Sequence, residues 1–158
     1  QGPSQDGFEN WHTKLGLKIF IVTEMKIGGQ VAIDMCRSLP FDVFEIVGAN
    51  GRKGGSWLLW KQNEVRVSIL SKLAQVIHAS NQVLPDSFEW LLSSIYASLE
   101  YNKRLELWDN LTHVALSNNR PWLCLGDFNE KFSNTDKLGG TLMNQVHANT
   151  FHNCPSSV

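Results

Sequence analysis

Arg120-Pro121-Trp122-Leu123-Cys124-Leu125-Gly126-Asp127-Phe128-Asn129 is an apolar run of strand character that stops at a glycine and then sets two oxygen-bearing side chains two residues apart. Side chains alternate faces along an extended segment, so Asp127 and Asn129 are expected on one face and Phe128 on the other. A carboxylate beside a carboxamide at the mouth of a sheet can hold a hard cation and a phosphate oxygen. The competing reading is a plain turn, because Gly-Asp-x-Asn is rich in turn formers. This stretch alone does not choose between them.

Working back from it, Leu105, Trp108, Leu111, Thr112, Ala115 and Leu116 recur at spacings of three and four, with Arg104, Asp109 and Asn118 outside the stripe. That pattern predicts a helix. Upstream, Ser56 to Trp60, Val65 to Ser71, Val76 to Val83 and Trp90 to Tyr96 read as a β-meander, punctuated by Asn50-Gly51, Gln62-Asn63 and Pro85-Asp86. On the third strand, Val76, His78 and Ser80 share one face; Ile77, Ala79 and Asn81 share the other. Phe44 to Val47 reads as a short strand, followed by a turn at Gly48-Ala49-Asn50-Gly51. Residues 30–38 are moderately helical and stop at Pro40, and Leu17 to Thr23 is a β-branched run short enough for a buried strand. A last helix is expected over Leu142 to Phe151. Strands with helices between them predict a mixed α/β fold, a sheet with helical cover.

A chain of 158 residues fits one domain with a core of its own, and six Trp with eight Phe favour compactness. The net charge of -1 does not announce a nucleic-acid binder, so affinity for a polyanion must come from a local basic cluster or a bound metal. Cys36, Cys124 and Cys154 are odd in number and far apart, without disulfide or zinc spacing. A reducing intracellular compartment, nuclear or cytoplasmic, is the simplest reading. No run is long and apolar enough to cross a membrane as a helix, so no membrane partner is expected. Asn110-Leu111-Thr112 spells a glycosylation acceptor, but inside a helical pattern.

Glu24 stands after Ile19-Phe20-Ile21-Val22-Thr23, at the carboxyl end of a buried strand, where α/β sheets place their ligands. It is either a metal ligand or a solvated residue opening a loop toward Lys26. Tyr96 ends its strand and can donate to a phosphate oxygen or simply rest half-buried. Gly51-Arg52-Lys53-Gly54-Gly55 lacks the spacing of a P-loop and reads as a turn into a strand. Gly54 and Gly55 permit close backbone approach, and Arg52 and Lys53 can touch a nucleic-acid backbone. His12, His78 and His113 are scattered without a nearby nucleophile, and His147 and His152 lack a third ligand.

In this order, Thr23-Glu24-Met25-Lys26, Gly54-Gly55, Ser94-Ile95-Tyr96 and Gly126-Asp127-Phe128-Asn129-Glu130 resemble the endonuclease/exonuclease/phosphatase superfamily, whose fold is deoxyribonuclease-like. Residues 51–60 and 105–111 resemble the endonuclease domain of plant LINE-type (non-LTR) retrotransposons. The resemblance covers residues 17–158 as a partial domain behind an irregular segment, residues 1–16. It implies a four-layer α/β sandwich of two mixed β-sheets with outer helices, incomplete at both ends. It also implies Mg²⁺-dependent hydrolysis of DNA phosphodiesters, with Mn²⁺ as substitute and no small-molecule cofactor, and a reverse transcriptase domain as partner in the parent element. By motif position, Glu24 binds the metal, Asp127 orients or deprotonates water, Asn129 holds the phosphate and Tyr96 contacts a phosphate oxygen. Met25 stands where the family usually has Thr, and Leu99 where a Pro commonly follows the Tyr motif. The family's opening Asn strand and closing Ser-Asp-His motif have no match here. The reading therefore expects weak or absent activity, with a non-catalytic nucleic-acid-binding remnant (through Arg52, Lys53, Lys103 and Arg104) or a phosphatase of the same fold as alternatives.

Overall fold

The computed structural model describes residues 16–48 and 54–130. The expected helix over residues 142–151 lies outside them, as do Arg52, Lys53, His12, His147 and His152. The described elements are β1 (Ile19–Met25), α1 (Gly29–Ser38), β2 (Val43–Val47), β3 (Gly55–Trp60), β4 (Val65–Leu73), β5 (Val76–Val83), β6 (Glu89–Tyr96), α2 (Tyr101–Ser117) and β7 (Trp122–Asp127).

They build two sheets, ordered β1-β3-β2 and β4-β5-β6-β7. The first is antiparallel throughout; the second becomes mixed where β7 joins β6 in parallel. That parallel pair follows from α2, which carries the chain from the end of β6 back to the start of β7. Between the sheets lies one apolar layer, with Leu58 and Trp60 from the first meeting Ile77, Ala79 and Leu92 from the second. The opposite face of the first sheet, with Trp57 and Leu59, packs on Ala32 and Cys36 of α1. Val76 and Ile95, on the outer face of the second, pack on Leu107, Trp108 and Leu111 of α2. Helix, sheet, sheet, helix makes four layers, as the resemblance implies.

The meander breaks at its first turn. β3 pairs with β1 and β2 rather than with β4, and the chain changes sheets at residues 61–64. Burial explains why: all six residues of β3 are buried, which suits a central strand covered on both faces, whereas β4 alternates. Burying each large side chain of β3 contributes roughly 1.5–3 kcal/mol.

The α2 stripe also needs correcting. The buried face is Arg104, Leu107, Trp108 and Leu111, and the helix begins at Tyr101. Leu116 is 81% exposed, while Arg104, which the polarity pattern places outside, is buried. Its guanidinium has acceptors inside, described below, so the usual penalty for burying a charge is offset.

Within the α2-facing layer, His78 is buried, and its Nδ1 lies 2.7 Å from Ser93 Oγ and its Nε2 2.8 Å from Asn110 Oδ1. Trp122 Nε1 donates to the same Ser93 hydroxyl at 2.8 Å. A serine does therefore stand beside His78, contrary to the sequence expectation. Ser93 is fully buried and its oxygen is already engaged, so the cluster ties β5, β6, β7 and α2 together rather than offering a nucleophile. Burial holds the His78 imidazole below its usual value, partly opposed by the Asn110 hydrogen bond.

A candidate functional site at the strand ends

Glu24, Tyr96, Asp127 and Asn129 come from β1, β6 and β7, and all four lie at strand exits. Each arrives by a different local device. β1 slips register between Val22 and Met25, and Glu24 sits at φ 62, in the left-handed region. A non-glycine residue there costs roughly 1–3 kcal/mol, the kind of strain that accumulates at ligand sites. The bulge turns the Glu24 carboxylate out of the strand, where Lys26 Nζ stands 4.0 Å away.

Gly126 lets β7 finish in register with β6. Its φ is 137, and a Cβ there would lie 1.9 Å from the Ile95 carbonyl oxygen. With glycine in place, Tyr96 and Asp127 become partners across the parallel pair, and the Ala97 N–H donates to the Asp127 carbonyl at 2.8 Å. Gly54 makes the remaining room: a Cβ on it would meet Tyr96 Oη at 2.7 Å. The close approach expected at this glycine is to the phenol.

Asn129 departs from the simple alternation. β7 ends at Asp127, and Asn129 lies in a turn at φ 47, whose N–H donates to Asp127 Oδ1 at 2.8 Å. Its carboxamide Nδ2 donates to the Ala97 carbonyl at 2.6 Å. The turn reading of Gly-Asp-x-Asn is thus realised, and the turn brings the carboxamide back to the exit of β6. One carboxamide N–H is used on Ala97; the group carries a second.

Glu24 and Asp127 converge on Tyr96. The phenol's pKa is raised by burial first, then by the negative charge of Glu24, then by that of Asp127. Two carboxylates from different sheets therefore act on one hydroxyl. Oxygen donors of this kind fit a hard cation such as Mg²⁺, which takes one or two carboxylates and completes its shell with water and phosphate oxygens. Among the described residues no three or more His, Cys, Asp or Glu side chains gather as a metal cage. Glu24 and Asp127 are the residues that would share such an ion.

The convergence has a spectroscopic consequence. Charge on either carboxylate raises the Tyr96 pKa, so Glu24→Gln and Asp127→Asn should each lower it, as should saturating Ca²⁺ on the unsubstituted protein. The ¹³Cζ shift of Tyr96, followed through alkaline pH, reads this directly and separates it from Tyr101. A Tyr96 titration indifferent to both substitutions would mean that the carboxylates do not share the site.

A cleft of about 450 Å³ runs between β1 and the β6–β7 edge, walled by Ile19, Ile21, Leu92 and Leu125. Thr23 and Gly126, the residues before Glu24 and Asp127, also line it. Of the weaker nucleic-acid candidates, Arg104 is excluded because it is buried, and Lys103 Nζ is 2.7 Å from Glu100 Oε1. His113 is exposed on α2. Two residues close to the site depart from expectation: Arg104, expected as a surface contact to nucleic acid, is buried, and Glu130, to which the sequence gives no role of its own, pairs with it. The signal for Arg104 was its i, i+3, i+4, i+7 relation to Leu107, Trp108 and Leu111; charge had masked it.

No family model matches the sequence, and no curated protein matches it significantly. Solved structures do match. The AP endonuclease LMAP from Leishmania major aligns over 94% of this chain and 60% of its own, with a TM-score of 0.64 and 13% identity. An endonuclease/exonuclease/phosphatase family protein from Bacteroides thetaiotaomicron aligns over 77% and 52%, with a TM-score of 0.57 and 15% identity. D. rerio TDP2 complexed with single-strand DNA product aligns over 80% and 53%, with a TM-score of 0.51 and 12% identity. The chain thus spans little more than half the length of these proteins. At such identities the likeness is one of fold: the described residues have the fold of the endonuclease/exonuclease/phosphatase structures, in incomplete form. No helix among them is long and apolar enough to cross a membrane.

Proposed function

We propose that this chain carries a metal-dependent phosphodiesterase site acting on DNA. The observation that supports this most directly is that Tyr96, at the end of β6 and in register with Asp127 of β7, has its pKa raised by burial and then by the charges of Glu24 and Asp127. Glu24 would hold Mg²⁺, or Mn²⁺ in its place. When bound, the ion supplies Lewis-acid polarisation of a phosphoryl oxygen. Asp127 aligns the attacking water and accepts its proton. Tyr96, its pKa raised, keeps its proton at neutral pH and so donates to a phosphate oxygen instead of attacking phosphorus. Asn129 offers its second carboxamide N–H to charge that grows in the transition state.

DNA is favoured over a small phosphate ester by the LINE-like residues 51–60 and 105–111, with Arg52 and Lys53 as backbone contacts. In such an element a reverse transcriptase domain uses the nicked end. Turnover is expected to be slow, since the opening Asn strand and closing Ser-Asp-His motif of the resembled family have no match in this sequence, and incomplete catalytic sets commonly lose orders of magnitude in rate. The folded protein should convert supercoiled plasmid to the nicked form with Mg²⁺ and stop on chelation. A folded sample that leaves plasmid intact at high enzyme excess would overturn the proposal. Hydrolysis of a sugar phosphate or phosphoinositide without nicking would reassign the site to a phosphatase.

A further inference from the structure

Arg104 and Glu130 form an ion pair beside the site, with Nε 3.1 Å from Oε2 and side chains only 6% and 7% exposed. The guanidinium does more than neutralise a carboxylate. Its Nη1 donates to the carbonyls of Ser98 and Leu99, each at 2.9 Å, and its Cζ lies 5.8 Å from the centroid of the Tyr101 ring. Ser98 follows Ala97, whose carbonyl accepts from the Asn129 carboxamide, and Glu130 follows Asn129. Arg104, Ser98, Ala97, Asn129 and Glu130 therefore close a ring through backbone and hydrogen bonds, with the guanidinium opposite the carboxamide.

We propose that Arg104 is a positioning residue: by clamping the exit of β6 to the turn after β7, it sets the direction of the Asn129 carboxamide. The assignment rests on the reading above, in which Asn129 meets the phosphate. Two features of the geometry favour orientation over plain stabilisation. A buried ion pair is weak support for a fold by itself, because desolvation cancels most of its attraction. And the acceptors lie on three residues of two separate segments, an arrangement that a planar fork of donors can span and an ammonium cannot. Asn129, at φ 47, is the residue between them that needs holding.

The test uses Arg104→Lys and Glu130→Gln, with the neutral pair Arg104→Gln/Glu130→Gln to avoid stranding one buried charge. In ¹H–¹⁵N spectra the Asn129 side-chain amide should exchange with water about tenfold faster or more in each folded variant, while that of Asn81, bonded within β5 to the Ala79 carbonyl, stays unchanged. In the plasmid assay the kcat of the variants should fall about tenfold or more with KM for DNA little altered, the pattern of a group acting in the transition state. The exchange measurement needs no turnover, so a failure of the hydrolase reading leaves it decisive. An Asn129 amide that behaves as in the unsubstituted protein, in any folded variant, overturns the proposal. If none of the three variants folds, the pair is a requirement of the fold and the positioning assignment falls as well.

Discussion

Asp127→Ala is expected to lower plasmid nicking by on the order of 10³-fold or more, the scale on which single members of a catalytic unit act. Two losses are folded into that number. The carboxylate that aligns water disappears, and so does the oxygen that accepts the Asn129 N–H at 2.8 Å. Asp127→Asn separates them, because its side-chain oxygen can still accept and hold the turn. A net hydrogen bond contributes about 0.5–1.5 kcal/mol, so Asp127→Ala should unfold only slightly more easily than the parent, and Asp127→Asn should match it closely. Nicking should nonetheless be lost in both. If Asp127→Asn kept the parent's rate, the negative charge would be dispensable, and with it the assignment of Asp127 to the water.

Gly126→Ala should produce the largest change in stability, about 4 kcal/mol, near the top of what a single substitution does. A Cβ there would sit 1.9 Å from the Ile95 carbonyl oxygen and 2.8 Å from its carbonyl carbon. Those atoms belong to the backbone of β6, a strand paired on both sides, so they cannot move without breaking the ladder. The backbone of Gly126, at φ 137, is also one that alanine avoids. For a chain of this size the loss corresponds to a melting temperature lower by roughly 10 °C. Thermal unfolding followed by circular dichroism reads it. A shift of only a degree or two would mean that β7 can leave its register cheaply, and the delivery of Asp127 beside Tyr96 would then need another explanation.

The legible parts of this molecule were those written in local pattern. The β-branched run of β1, the apolar strand β7 and the alternation of β5 each appear close to where they were expected. Partnership was not legible in the same way. β3 has the composition of any short apolar strand, and only its burial on both faces reveals that it sits between β1 and β2. Arg104 was read as surface because charge usually means solvent, and its acceptors come from residues 98, 99 and 130, which no local window contains. For the site, the residue types and their order were readable. The bulge at Glu24 was not, since it depends on a backbone angle that an extended segment does not have, and the turn at Asn129 was legible as one of two readings between which local composition does not choose.

Among the described residues the chain crosses between the sheets once, at residues 61–64. Among the described residues, 19–60 supply the strands of one sheet and 65–127 those of the other, joined by Lys61-Gln62-Asn63-Glu64 at the surface. Sequence order and spatial order coincide at that seam. A cut there, between Gln62 and Asn63, would leave two pieces whose shared surface is the apolar layer between the sheets. Because Glu24 travels with the first piece and Tyr96, Asp127 and Asn129 with the second, neither carries the site alone, and reunion of the pieces is the event that assembles it.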